Sequence, residues 1–169
     1  MSKPTLYLLL GLPGSGKTTT AKEISRITGA VHLSSDSFRL SLFEKPAFTQ
    51  AEHDALYKML DYMCELLLKN GTSVAYDANL NRLMHRQEKY RLAHKAGAAC
   101  ALLWVKVPLA TAKARRLSEA SHHKLVPAHE TPQNMFDRIA GIFEPPKDDE
   151  PYIELDGTKI NTEYVQSHL

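Results

Sequence analysis

Gly11-Leu12-Pro13-Gly14-Ser15-Gly16-Lys17-Thr18 follows the apolar run Leu6-Tyr7-Leu8-Leu9-Leu10 and leads into a helix-forming segment that Gly29 closes. Strand, glycine-rich turn and helix together give the pattern G-x-x-x-x-G-K-[ST] the context its chemistry needs. Glycines let successive backbone N–H groups turn inward around a chain of phosphates. The helix starting near Gly16 adds the positive end of its dipole, and Lys17 reaches the β and γ phosphates. Thr18 is the expected magnesium ligand. The expected nucleotide-binding residues are Gly11, Leu12, Pro13, Gly14, Ser15, Gly16, Lys17, Thr18 and Thr19.

Outward from this loop, strand-like apolar runs recur at Leu6–Leu10, Val31–Ser34, Ser73–Tyr76, Cys100–Val107 and Tyr152–Leu155. Helical patterns separate them, an alternation that predicts a parallel sheet wrapped by helices. Between Ala51 and Lys69, Leu56, Met59, Leu60, Met63, Leu66 and Leu67 recur at helical spacing as a predicted core stripe, stopped by Asn70-Gly71. Further helices are predicted over Leu83–Ala96, Leu109–Ala120, Thr131–Ile142, where Thr131-Pro132 suits an N-terminus, and Thr158–His168. The run Glu144–Pro151, with its prolines and like charges, reads as a surface connection into the last strand.

With 169 residues, 43% hydrophobic and 24% charged, the chain suits one globular domain with a single substantial core, spanning 1–169. A net charge of +2 is too mild for a dedicated DNA-binding protein. Cys64 and Cys100 read as buried small hydrophobes, not as a disulfide or metal pair, which fits a reducing cytoplasm. The sequence also lacks a signal-peptide pattern and any apolar run of membrane-spanning length, so a soluble cytoplasmic protein is expected.

In a parallel α/β sheet the ligand lies beyond the carboxyl ends of the strands. Two segments stand there besides the phosphate loop: Ser34-Ser35-Asp36-Ser37-Phe38-Arg39 and Asp77-Ala78-Asn79-Leu80-Asn81-Arg82. Asp36 is either the base that receives a proton from an acceptor hydroxyl or the cap of a helix beginning at Ser37. Arg39 either clamps an acceptor phosphate or sugar with its planar fork or makes an ordinary surface ion pair. Asp77 ends an apolar strand, where it binds magnesium's water shell, holds an acceptor group or caps structure, with Asn79 on the same lip. Arg82, Arg86 and Lys89 form one helical stripe, expected to be solvated, with Arg82 kept as a substrate-binding candidate. In Lys113–Lys124, Arg115 or Arg116 is placed to stabilise charge on a transferring group from a mobile arm, or else to neutralise a helix C-terminus. His122 and His123 lack metal-ligand spacing and read as a solvated loop.

Gly11–Thr18, Ser35-Asp36-Ser37-Phe38-Arg39, Asp77-Ala78-Asn79-Leu80-Asn81, and Val126-Pro127 followed by Phe143-Glu144-Pro145-Pro146 occur in that order. In this the chain resembles P-loop kinases of the polynucleotide 5′-hydroxyl kinase type, and is similar to zeta-toxin and chloramphenicol phosphotransferase relatives, over Thr5–Leu155. The resemblance implies a three-layer P-loop NTPase fold: a five-stranded parallel sheet, helices on both faces and a small helical lid around 113–130. It implies that Asp36 activates the acceptor, that Arg39 lies beside it, and that Asp77 and Asn79 form an acceptor-side pair. One departure stands out. The polynucleotide kinases carry two lid arginines a few residues apart, whereas Arg115-Arg116 is followed here by Ser121-His122-His123-Lys124, leaving Lys124 or a histidine in the second place.

The expected activity is transfer of the γ-phosphoryl group of ATP, with Mg2+, to a hydroxyl. Lys17, Asp36, Arg39, Arg115 and Arg116 are the catalytic candidates, and Asp36, Arg39, Asp77, Asn79 and Arg82 the acceptor-binding ones. A nucleic-acid 5′-end or a small metabolite, nucleotide sugar or antibiotic hydroxyl is the acceptor. The rival readings are a P-loop ATPase, which the short chain and missing acidic pair disfavour, and a nucleotide-binding module without an acceptor.

Overall fold

The structure is a computed structural model and describes residues 3–118 and 124–169. Five strands form one parallel sheet: β1 (Thr5–Leu10), β2 (Val31–Ser34), β3 (Val74–Asp77), β4 (Ala99–Lys106) and β5 (Ile153–Asp156). Their spatial order is β2-β3-β1-β4-β5. The register pairs Leu8 with Tyr76 and Leu102, and Ser34 with Asp77, so the ends of β1, β2 and β3 open onto one edge. Around the sheet lie α1 (Lys17–Thr28), α2 (Ser35–Leu42), α3 (Gln50–Lys69), α4 (Leu83–Lys95), α5 (Leu109–Ser118), α6 (Pro132–Gly141) and α7 (Thr162–Gln166). The expected three-layer α/β fold is the one observed, with most predicted boundaries within a residue or two.

β1 shows why its apolar run is continuous. Its alternate side chains face opposite layers, and both faces are covered. Leu6, Leu8 and Leu10 join Leu56, Leu60, Cys64 and Leu68 of α3 and Ala93 of α4 in one core. Leu9 joins Ala21 and Ile24 of α1, Leu155 of β5 and Val165 of α7 in the other. The α3 stripe departs from expectation in part: Leu56 and Leu60 are fully buried, Met59, Met63 and Leu67 are partly buried against them, and Leu66 is 43% exposed. The true seam runs every fourth residue through Cys64 and Leu68. Cys64 is buried as expected but Cys100 is exposed, because full burial on β4 begins only at Leu102.

One further expectation is overturned: Arg86 is fully buried and Lys89 nearly so, not solvated, although Arg82 is exposed. The connection Glu144–Pro151 lies mostly at the surface as expected, with Glu150 turned inward as its anchor. Arg86 Nε and Nη2 each donate to a carboxylate oxygen of buried Glu150 at 2.7 Å. Arg86 Nη1 donates to the Leu80 and Glu144 carbonyls at 3.0 Å. Burial pushes the Glu150 carboxyl up, but hydrogen bonds from Arg86 and Tyr90 outweigh it and hold the group below the ordinary carboxylate range. Lys89 Nζ donates to Asp61 at 2.6 Å. Asp61 also accepts the Tyr76 hydroxyl at 2.7 Å.

Candidate active site

The loop from Gly11 to Gly16 leaves β1 and delivers the chain into α1. Gly14 has φ 81° and Gly11 φ 152°, a region of backbone space that suits glycine. Crowding adds a second reason. A Cβ on Gly14 would collide with the Ala112 carbonyl oxygen of α5, and one on Gly11 would stand 2.5 Å from the Val105 carbonyl oxygen. The loop is thereby pinned against β4 and α5. Gly157, just past β5, completes the clamp, since its Cβ would collide with the Ser15 carbonyl oxygen. Sequence reasoning missed Gly157; the strand-acid-glycine run Leu155-Asp156-Gly157 was its signal.

Lys17 opens α1, and its ammonium donates to the Gly11 and Leu12 carbonyls at 2.8 and 2.9 Å. Burial lowers its pKa from 10.5 to about 8, against Asp77 and Asp36, which favour the charged form, and with Arg116, which opposes it. Four charged side chains therefore act on one point: Lys17 from the cradle, Asp36 from α2, Asp77 from the end of β3 and Arg116 from α5. Thr18 and Thr19 are exposed on the same side of α1 and line the cleft with Lys17.

Asp36 does not cap a helix starting at Ser37. α2 begins at Ser35, and its cap is Ser34, whose hydroxyl accepts from the Ser37 N–H at 3.3 Å. That leaves the Asp36 carboxylate exposed in the cleft. Asp77 is buried, with Oδ2 3.1 Å from His32 Nε2. Asn79 is exposed beside it; its N–H donates to the Tyr57 hydroxyl at 3.2 Å, and its own Oδ1 accepts from the Asn81 N–H at 3.2 Å.

Arg39 also lines the cleft, and the ion pair it makes is buried, not superficial. Its guanidinium bonds Glu52 and stacks 4.9 Å from the Phe48 ring centre. Glu52 in turn accepts from the Ala47 and Phe48 N–H groups, at 2.7 and 3.2 Å, and so holds the chain before α3. Phe48 sits at φ 55°, left-handed for a bulky residue, and this strut fixes it there. The run Thr49-Gln50-Ala51-Glu52 was the local signal. Thr49 caps α3 by accepting from the Glu52 N–H at 3.2 Å, while the Glu52 carboxylate turns to Arg39.

Arg115 and Arg116 divide. Arg115 Nη1 donates to the Gly157 carbonyl at 3.0 Å, tying α5 to the turn that presses on the loop. Both arginines line the cleft. Leu125, Pro127, His129 and α6, with Met135 and Arg138, also line the cleft, and α6 packs on α5 through Lys113, which donates to Asp137 at 2.7 Å. α6 starts as expected, with Thr131 accepting from the Asn134 N–H at 3.1 Å and Pro132 in the first turn. Arg138 forks onto Glu130 with both contacts at 2.8 Å. His122 and His123, with the end of the predicted Leu109–Ala120 helix, lie outside the described residues.

These walls enclose an open cleft of about 1480 Å³ along the carboxyl edge of the sheet. A glycine cradle with no room for a Cβ at Gly11 or Gly14, a lysine at its mouth and a threonine at the helix start fit a nucleotide polyphosphate. Thr18 and Asp77 supply the hard oxygens that magnesium prefers. Among the described residues no group of three or more His, Cys, Asp or Glu is placed to hold a metal ion. Among the described residues no helix is long and apolar enough to cross a membrane.

Fold and cradle define a P-loop nucleotide-binding domain of the α/β class. The chain belongs to the AAA domain family AAA_33, whose pattern matches residues 6–146. Curated proteins yielded no sequence match. Among solved structures it is similar to the Mycobacterium tuberculosis APS kinase CysC in complex with AMPPNP and APS. That likeness has 22% identity over 99% of this chain and 96% of the other, with a TM-score of 0.74. It is also similar to a sugar kinase from Janibacter sp. HTCC2649, at 19% identity over 98% and 92% of the two chains, with a TM-score of 0.68. A chain of the Pnkp1/Rnl/Hen1 RNA repair complex matches at 24% identity over 84% of this chain and 44% of that one, with a TM-score of 0.69. At these identities the likeness establishes the fold.

Proposed function

We propose that this chain is an ATP-dependent kinase that passes the γ-phosphoryl group to an alcohol. One observation carries the reading: the Asp36 and Asp77 carboxylates line the same cleft as Lys17 and the glycine cradle. An acceptor hydroxyl in that space would meet the γ-phosphorus on one side and a carboxylate on the other. The new bond joins the acceptor oxygen to the γ-phosphorus, the bond from the β–γ bridging oxygen to that phosphorus breaks, and the hydroxyl proton passes to Asp36. ADP leaves with the bridging oxygen.

Lys17 and the backbone N–H groups of Gly14 to Thr18 hold the phosphates in line. Magnesium, when bound, would neutralise the β and γ oxygens, with Thr18 as ligand and Asp77 fixing its water shell. Arg116, which lines the cleft and acts on the Lys17 ammonium, is the preferred cation for the transferring group, while Arg115 ties α5 to the Gly157 carbonyl. Arg39, committed to Glu52, shapes the mouth of the acceptor end by holding Phe48, while Asn79 and Arg82 face the acceptor. The structural neighbours support this reading as named kinases, among them one in complex with AMPPNP and APS.

The test is ADP release from ATP and Mg2+ across a panel of alcohols and nucleic-acid 5′-ends. Slow hydrolysis that one acceptor accelerates, with labelled phosphate on that acceptor, is the expected result. Brisk hydrolysis that no acceptor changes would make the protein an ATPase instead.

A further inference from the structure

One carboxylate of the cleft is held from outside it. β2 is an edge strand of the sheet, and its register sets Ser34 beside Asp77 and His32 beside Ala75 on the neighbouring strand β3. Alternate residues of a strand share a face, so His32, Ser34, Ala75 and Asp77 all belong to the layer of α1, where Ala75 joins Ala21 and Ile24 in one core. His32 leans along this face toward the strand ends, and its Nε2 lies 3.1 Å from Asp77 Oδ2. An ionised carboxylate only accepts hydrogen bonds, so the proton between them belongs to Nε2. Among the described residues His32 is the group that bonds the Asp77 side chain, and Asp77 is the group that His32 bonds. The two differ in where they open, since Asp77 lines the cleft and His32 does not.

Asp77 has a second cation within reach of its field. Lys17 opens α1 on this same layer, and of the two carboxylates that favour its charged form Asp77 acts more strongly than Asp36. Yet the ammonium donates to the Gly11 and Leu12 carbonyls and, among the described residues, makes no ion pair. A buried carboxylate without a bond of its own would turn toward that ammonium, because pairing is what makes a buried charge tolerable. Resting on the kinase reading above, we infer that His32 is a positioning residue: it anchors Asp77 Oδ2 from the sheet edge, which keeps the carboxylate off Lys17 and leaves Oδ1 for the hydration shell of the nucleotide's magnesium. That reading needs the separation. Lys17 and Asp77 serve different partners, phosphate oxygens and metal-bound water, and an ion pair between them would occupy both. A ring carried on a strand is also a firmer anchor than a donor on a loop, and groups behind a metal's partners tune its binding through such hydrogen bonds.

The experiment uses the whole chain and AMPPNP, whose affinity is measured by calorimetry with and without Mg2+. The ratio of the two affinities is the metal's contribution. His32→Leu should cut that ratio about tenfold or more. His32→Gln, whose amide again offers an N–H, should recover most of it. In an Asp77→Asn background His32→Leu should alter the ratio no further, a result that a merely structural histidine would not give. Nitrogen–proton NMR on the unsubstituted chain adds a readout that needs no variant, the His32 proton on Nε2. A proton on Nδ1, a ratio that His32→Leu keeps, a His32→Gln no better than His32→Leu, or additive losses in the double variant would each overturn the role of His32 and leave the kinase reading standing. AMPPNP binding that ignores Mg2+ in the unsubstituted chain would instead remove magnesium from the kinase reading, and this role with it.

Discussion

The cradle at one end of the cleft is made by nine consecutive residues, Gly11 to Thr19, whereas the wall at the other end takes Asp36 from α2, His53 and Tyr57 from α3, Asn79 and Arg82 from a turn, and His85 from α4. The first recognises phosphate with backbone groups, so glycines and one helix start suffice. The second recognises an acceptor with side chains, each set in place by a different partner: Glu52 for Arg39, Tyr57 for Asn79, Arg86 for the turn itself. A contiguous device tolerates almost any acceptor built opposite it, which is how one fold serves many substrates. The two ends should therefore fail separately.

The largest separation is expected between Asp36→Asn and Lys17→Ala. The first should leave Mg·ATP binding within about twofold and cut transfer by about 10²–10⁴, the range for losing a general base. The second should weaken both, since the ammonium holds the phosphates before and during transfer. Calorimetry with Mg·ATP and initial rates with the best acceptor check the pair. Undiminished transfer by the Asp36→Asn variant would remove Asp36 from the chemistry.

Next in size is Arg86→Met. It strands the buried Glu150 carboxylate and releases the Leu80 and Glu144 carbonyls. Breaking a buried pair from one side costs about 3–5 kcal/mol, while replacing both partners costs far less. Denaturant unfolding should show the loss in Arg86→Met and recovery of most of it in Arg86→Met/Glu150→Leu. Because Leu80 opens the acceptor turn, the double variant should bind Mg·ATP normally and acceptor poorly. Equal losses at both ends would mean the ends are one mechanical unit.

This pair also marks where the sequence stops speaking. The layers, the strands and the cradle are legible because they rest on local periodicity and a short motif. Arg86 and Lys89 read as solvent-facing because three cations on a helix stripe usually are. Nothing near them in the chain reveals that Glu150, 64 residues away, and Asp61, 28 residues away, meet them inside. Arg39 is hidden in the same manner: its partner lies 13 residues on, across a loop. His53 and His85 carry no motif at all, and only the fold puts them on one wall. Asp36 stood out because strand ends are where ligands bind, yet its capping role was excluded only by Ser34 taking the cap.

A smaller and more selective effect is expected for Gly157→Ala. The added methyl would press on the Ser15 carbonyl at the back of the cradle. Overpacking of this kind costs about 1–3 kcal/mol. The loss should fall on Mg·ATP affinity, by roughly 5- to 150-fold, and acceptor binding should not change. Loss at the acceptor wall instead would show that the turn after β5 is coupled across the whole cleft.

The smallest effect tests the cradle's own electrostatics. Lys17 is half-buried and its pKa falls from 10.5 to about 8 in the nucleotide-free fold. A depressed lysine is a charged group held against its preference, so below about pH 8 it subtracts from stability, and that penalty fades as pH rises from about 8 toward 10.5. Lys17→Met should therefore stabilise the empty protein near neutral pH by at most about 2 kcal/mol, discounted for the solvent the side chain keeps. The gain should shrink over the same interval, as read from unfolding at several pH values. Nucleotide phosphates reverse the balance by favouring the ammonium. Mg·ATP affinity should then fall by up to about tenfold per pH unit above 8 in the native chain, and Lys17→Met should abolish that slope while binding weakly throughout. A slope that survives the substitution would place the titrating group elsewhere in the cleft. Its disappearance would mean the cradle stores, in one uncomfortable lysine, part of the free energy it releases when the phosphates arrive.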